Sequence, residues 1–166
     1  MDKKIIAWLE DRQDTVSDQI SFCKKNDLDV NIFSTDYDFY EFIKNNYFNI
    51  CLIIIDIMLY SIHDLENINI QNSDTQCGFN AGWIIAERIL RPEKEKSLFS
   101  QIPILFLSSR PFDDKTDKKR LSDLNSRDKS ENYPDVLYLE KNGMSKDYKR
   151  TWDREFCRII HSILNE

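Results

Sequence analysis

The chain has 166 residues, 41% of them hydrophobic and 31% charged, with a formal net charge of −6. That length fits one domain with a full core, and the composition is ordinary for a soluble globular protein. The acidic balance argues against a nucleic-acid-binding surface, and no apolar stretch is long enough for a signal peptide or a membrane span.

Residues 4–9 (Lys-Ile-Ile-Ala-Trp-Leu) read as a first strand that ends in the acidic pair Glu10-Asp11. Residues 12–26 carry Val16, Ile20 and Cys23 on one helical stripe, and Asn26-Asp27 stops it. Residues 29–34 are a second, weaker strand. Thr35 and Asp38 have the spacing of a capping box, opening a helix whose Phe39, Phe42 and Ile43 face inward.

The third strand is the strongest signal in the chain. Six apolar residues, four of them isoleucine, run from Ile50 to Ile55 without alternation. A short β-branched run of this kind is a strand, and apolarity on both faces places it inside a parallel sheet covered by helices. Asp56 then stands directly against that apolar wall, where a lone carboxylate is costly unless it reaches a mouth or a cation.

Residues 60–76 show no sustained period, and a loop this long inside a small domain is usually functional or mobile. Gly78 and Gly82 bracket the entry to a helix that packs Trp83, Ile85, Ala86, Ile89 and Leu90 and that Pro92 ends. Residues 102–108 form a fourth strand with Pro103 near its start. Residues 113–132 are mostly charged and hold one helix on the thin stripe of Leu121 and Leu124. The run 113–120 reads as a solvated helix face. Residues 135–140 are the fifth strand, ending at Lys141. The last helix starts at Ser145 and shows an apolar face of Trp152, Phe156, Ile159, Ile160 and Ile163.

Five β-α units in a row imply a single domain over 1–166, with a five-stranded parallel sheet wrapped by helices on both faces. Extended segments lie at 60–76 and 110–134, and no output domain is expected. Cys23, Cys51, Cys77 and Cys157 have no paired spacing and read as reduced thiols of a cytoplasmic protein. His63 and His161 lack ligand partners at useful spacing.

Four strand ends carry reactive residues: Glu10-Asp11, Asp56, Ser108-Ser109 and Lys141. In this architecture they converge on one crevice. Three close carboxylates call for a cation, and Mg2+ with retained waters suits so sparse an oxygen cage. Lys141 adds a positive charge that can pair with Asp56 or with an anion on it, and Ser108 adds a hydroxyl donor. Together they describe a phosphoryl-transfer site with Asp56 as nucleophile.

In the segments Ile-Ile-Ala-Trp-Leu-Glu-Asp, Ile-Ile-Ile-Asp-Ile-Met-Leu, Ile-Pro-Ile-Leu-Phe-Leu-Ser-Ser and Leu-Tyr-Leu-Glu-Lys, taken in order, the chain resembles the receiver domain of two-component response regulators. The resemblance implies a stand-alone, chemotaxis-regulator-like domain with a flavodoxin-like strand order 2-1-3-4-5. It implies that Asp56 accepts a phosphoryl group from a sensor histidine kinase or phosphotransfer protein and that an unidentified downstream protein reads the result, with no nucleic acid or membrane involved. By the same match Glu10, Asp11, Asp56 and the Met58 carbonyl would hold Mg2+, Ser108 and Lys141 would contact phosphoryl oxygens, and Ser108 and Tyr138 would act as the switch pair. Met58 and Arg110, two places beyond the phosphoacceptor and the hydroxyl residue, would cover the acyl phosphate and slow its loss, although Arg110 could instead pair with a phosphoryl oxygen through its planar fork.

The chain departs from the family at Tyr60, where a proline is usual, and at Asn142, where Lys-Pro with a cis bond is usual. A receiver fold kept as a phosphate-independent adaptor is one alternative. A Mg2+-dependent phosphohydrolase with an aspartyl-phosphate intermediate is another, but Met58 stands where such enzymes often carry a second acid. The chain is therefore expected to be a phosphoacceptor, not an enzyme.

Overall fold

Five short strands form one parallel sheet: β1 (Ile5–Leu9), β2 (Asp29–Phe33), β3 (Ile50–Ile55), β4 (Ile104–Ser108) and β5 (Val136–Glu140). Their spatial order is β2-β1-β3-β4-β5, the flavodoxin-like order, with the isoleucine-rich β3 in the centre. The computed structural model describes residues 4–60, 70–71, 73–94, 96–127, 135–141 and 146–164, the backbone alone for 146–152 and 164. The connecting helices are α1 (Ser17–Lys25), α2 (Asp36–Asn46), α3 (Ala81–Ile85), α4 (Thr116–Ser126) and α5 (Lys146–Leu164).

Alternate strand residues build two cores. Ala7, Leu9, Ile53, Ile55, Ile104 and Phe106 pack on one face against Phe39, Ile43, Trp83, Ile85 and Leu124 from α2, α3 and α4. Ile6, Trp8, Leu52, Ile54, Leu105 and Leu107 pack on the other against Cys23 of α1 and Phe156, Ile159 and Ile160 of α5. Burial of β3 on both faces explains why its sequence does not alternate. Trp8 stacks on Phe156 at 5.8 Å, and Trp83 lies 4.1 Å from Phe106. Among the described residues no helix is long and apolar enough to cross a membrane.

The Thr35 cap forms as its spacing predicts. Its hydroxyl accepts the Asp38 N–H at 3.2 Å and donates to the Asp38 carboxylate at 2.7 Å. The first helix differs from expectation. It opens as a 3-10 turn over Gln13–Val16, with Arg12 giving no side-chain cap, and becomes α-helical only at Ser17. β4 starts at Ile104 and not at residue 102, although the Pro103 carbonyl already accepts the Ile53 N–H at 3.0 Å. α3 widens into a π-type turn over Ala86–Leu90. Of the long segment 60–76, residues 61–69 and 72 lie outside the described residues, while Ile70 is fully buried in the core. His63, Asn142 and Ser145 also lie outside them, as does the range 128–134.

Candidate functional site

Strand register carries the reactive residues to one end of the sheet. Leu9 pairs with Ile55, so Glu10 and Asp56 occupy the next rung; the Asp56 N–H donates to the Leu9 carbonyl and the Glu10 N–H to that of Phe33, each at 2.9 Å. On the other side Ser108 pairs with Glu140, and the Lys141 N–H donates to the Ser108 carbonyl at 2.7 Å. Backbone hydrogen bonds thus bring Glu10, Asp56, Ser108 and Lys141 to the carboxyl edge of four strands.

The side chains meet there. Glu10, Asp11 and Asp56 each present a carboxylate oxygen, and these oxygens lie within 4.8 Å of one another. Glu10 is fully buried; Oε1 accepts the Arg12 N–H at 3.2 Å and Oε2 accepts Lys141 Nζ at 2.5 Å. Asp56 is 4% exposed, with Oδ1 accepting the Met58 N–H at 3.1 Å and Oδ2 accepting Lys141 Nζ at 2.7 Å. Asp11 is half-buried, and Oδ2 accepts the Tyr60 N–H at 2.6 Å.

Electrostatics follow from that crowding. Burial pushes the Glu10 carboxyl up to about 7; Lys141 opposes the shift and Asp56 adds to it. One ammonium thus faces a cluster of three carboxylates, leaving a surplus of negative charge that a further cation relieves. Oxygen-only ligands at this spacing fit a hard divalent ion such as Mg2+, which binds few carboxylates and keeps several waters. Glu10, Asp11 and Asp56 would hold it.

The support behind Asp56 comes from Gly82, which the sequence marks only as bracketing a helix entry. Gly82, the second residue of α3, donates its N–H to the Ile57 carbonyl at 3.0 Å. A Cβ at Gly82 would overlap the Asp56 carbonyl oxygen and come within 2.9 Å of Ile57 Cα. Only glycine allows α3 to lie this close to the turn that carries Asp56. Among the described residues positive φ falls elsewhere, at Asp27 (59°), Gln76 and Cys77 (53° each) and Gly78 (92°).

Two expectations need correction. Asp117, read as part of a solvated charge run, is 2% exposed. Arg110, expected to cover the acid at Asp56, turns to Asp117 instead: Nη2 lies 2.7 Å from each carboxylate oxygen. Ion pairing with the buried carboxylate outweighs a position over the crevice, since each charge would otherwise be buried alone. Arg110 also lies 5.1 Å from the Phe79 ring centroid. Ser108 is fully buried, and its hydroxyl oxygen accepts the Arg110 N–H at 3.2 Å. Tyr138 is half-buried beside Phe112, and its hydroxyl donates to the Arg110 carbonyl at 2.8 Å.

No protein-family profile matches the chain, and no curated protein matches it. Several solved structures are similar, two of them as follows. One is the non-phosphorylated HemR receiver domain from Leptospira biflexa, at 15% identity over 93% of this chain and 94% of that one, with a TM-score of 0.49. The other is a yeast Spc42 trimeric coiled coil fused to another protein, at 15% identity over 99% of this chain and 85% of that one, with a TM-score of 0.48. Strand order and register, rather than these likenesses, establish the fold.

Proposed function

We propose that the chain is a response-regulator receiver in which Asp56 accepts a phosphoryl group from a sensor histidine kinase or phosphotransfer protein. The observation that carries this reading is Asp56 itself. It is a nearly buried carboxylate at the carboxyl edge of the sheet, 2.7 Å from Lys141 Nζ and clustered with Glu10 and Asp11.

In the reaction an Asp56 carboxylate oxygen attacks phosphorus, the phosphorus–nitrogen bond of a phosphohistidine breaks, and the imidazole nitrogen leaves with the electron pair. Mg2+, when bound by Glu10, Asp11, Asp56 and the Met58 carbonyl, supplies charge neutralisation for the phosphoryl oxygens. The Met58 N–H holds one Asp56 oxygen and fixes the carboxylate plane. Lys141 follows the negative charge as it moves from the carboxylate to the phosphoryl oxygens. The Ser108 hydroxyl donates to the same group. Tyr138, tied to the Arg110 carbonyl, is the residue through which a rearrangement of the β4–α4 loop would be read by a downstream protein. The chain is a phosphoacceptor in this reading, not a turnover enzyme.

The experiment is intact-mass measurement after incubation with Mg2+ and a small phosphodonor such as acetyl phosphate. Wild type gains the mass of one phosphoryl group, and Asp56→Asn gains none. Equal labelling of the mutant would remove Asp56 as the acceptor and the reading with it.

A further inference from the structure

Arg110 has three ties of different kinds. Its N–H is on the Ser108 hydroxyl, its carbonyl receives the Tyr138 hydroxyl, and its guanidinium is on Asp117. Asp117 in turn accepts the Asp113 N–H at 2.9 Å, so the start of α4 and the loop before it close on one carboxylate. Both side chains are nearly buried, Arg110 at 10% and Asp117 at 3% exposure.

We propose that the Arg110–Asp117 ion pair is a positioning pair that aims the Ser108 hydroxyl at an oxyanion carried by Asp56. The inference rests on the receiver reading of the site and names how that site is held ready. A serine hydroxyl has one proton and two lone pairs. Here the Arg110 N–H occupies a lone pair, so the proton points away from Arg110 and is free to donate. The Ser108 carbonyl is held on the other side by the Lys141 N–H at 2.7 Å, which fixes the residue at both ends.

Every side chain at position 110 except proline retains the backbone N–H, so ordinary substitutions there leave the donor in place. What Asp117 supplies is the anchor that keeps this N–H where it is. Without it the guanidinium is a nearly buried cation lacking its counter-charge, and the loop must move to hydrate it. The Arg110 N–H then leaves Ser108, and the hydroxyl loses its direction.

The test measures beryllofluoride binding in the presence of Mg2+ by calorimetry, for four forms of the full chain: wild type, Asp117→Asn, Ser108→Ala and the double variant. Asp117→Asn is expected to weaken binding about tenfold, the scale of one hydrogen bond to a charged group. In the Ser108→Ala background the same change is expected to have no further effect, and Mg2+ affinity without beryllofluoride should stay unchanged. Equal losses in both backgrounds would show general damage, and no loss in either would show an idle ion pair; each overturns the proposal while leaving Asp56 as acceptor. Failure of wild type to bind overturns the site reading and this inference together. Arg110→Lys keeps the charge but not the planar fork. It should give an intermediate loss that vanishes in Ser108→Ala, and it serves if Asp117→Asn does not fold.

Discussion

Lys141 Nζ stands 2.7 Å from Asp56 Oδ2, and the same ammonium also holds Glu10 Oε2. One cation therefore serves two buried carboxylates, and removing it leaves both without their counter-charge. Lys141→Met is expected to destabilise the metal-free protein by about 3 kcal/mol, the lower end for breaking a buried pair. Mg2+ should recover more stability in this variant than in wild type, because it replaces the missing charge. Urea unfolding with a chelator and then with Mg2+ measures both effects. A variant as stable as wild type in chelator would mean that the ammonium contributes nothing net.

Glu10 gives the site a pH dependence. Burial raises its folded pKa from 4.5 to about 7, so the folded state holds this proton more tightly than the unfolded chain. Its contribution is therefore fully present below about 4.5 and is lost as pH rises through about 7. A shift of that size corresponds to at most about 3 kcal/mol. The urea midpoint of the metal-free protein should fall between pH 5 and 8, and Glu10→Gln should flatten that decline. Mg2+ should also flatten it, since a bound cation favours the ionised carboxyl. A decline that survives Glu10→Gln undiminished assigns the titration to another group.

Asp11 is the most accessible of the three carboxylates, and among the described residues its carboxylate is held by the Tyr60 N–H, whereas Lys141 holds the other two. Mg2+ should raise the thermal midpoint of wild type by mass action, and Asp11→Asn should remove most of that gain. The metal-free stability should change little, because Asp11 is half-buried and an asparagine side-chain oxygen can still accept the Tyr60 N–H. A mutant with an undiminished Mg2+ response would place the ion elsewhere.

The contrast between Asp56 and Asp117 shows what sequence could reveal. Asp56 follows six apolar residues of a strand, so its burial and its place at a strand end both follow from periodicity and topology. The same logic reaches Glu10, Ser108 and Lys141, since each ends a strand whose register is set by apolar side chains. Asp117 lies among Asp113, Asp114, Lys115, Lys118 and Lys119, where nothing local separates a buried charge from solvated ones. Its burial is decided by Arg110, seven residues earlier across a turn. Sequence marks Gly82 only as bracketing a helix entry, but its role is set by Asp56 and Ile57, about 25 positions away in the chain, and such close approach leaves no local pattern.

That close approach is testable by itself. Gly82→Ala puts a Cβ against the Asp56 carbonyl oxygen and Ile57 Cα, both backbone atoms that cannot swing aside. A loss of about 1–3 kcal/mol is expected, the range for overpacking. Because the collision is with the turn carrying Asp56, Mg2+ affinity should fall as well. Ala81→Gly, one residue earlier in the same helix, should lower stability without the loss of affinity. Equal metal binding in both variants would separate α3 from the site.

On the receiver reading, the crevice also sets how long a phosphoryl group on Asp56 survives. Hydrolysis needs a water in line with phosphorus and a base to take its proton. The family resemblance puts two residues, Met58 and Arg110, in the way of that water. Arg110 is committed to Asp117, so shielding falls to Met58 alone. Its amide is held on Asp56 Oδ1, which keeps the residue beside the carboxylate, and it is half-buried. A thioether cannot act as a base for water. Glu10, a neighbouring carboxylate that could do so, is occupied by Lys141. Loss of phosphate should therefore be slow in wild type. Met58→Asn, which swaps apolar bulk for a group that can orient water, should speed it severalfold. Arg110→Ala should not act by uncovering the phosphate, so combining it with Met58→Asn should add no further acceleration beyond its own effect on Ser108. The measurement is to label with acetyl phosphate, remove the donor and follow the phosphorylated mass with time. Decay within seconds in wild type, unchanged by Met58→Asn, would show that Met58 does not guard the bond.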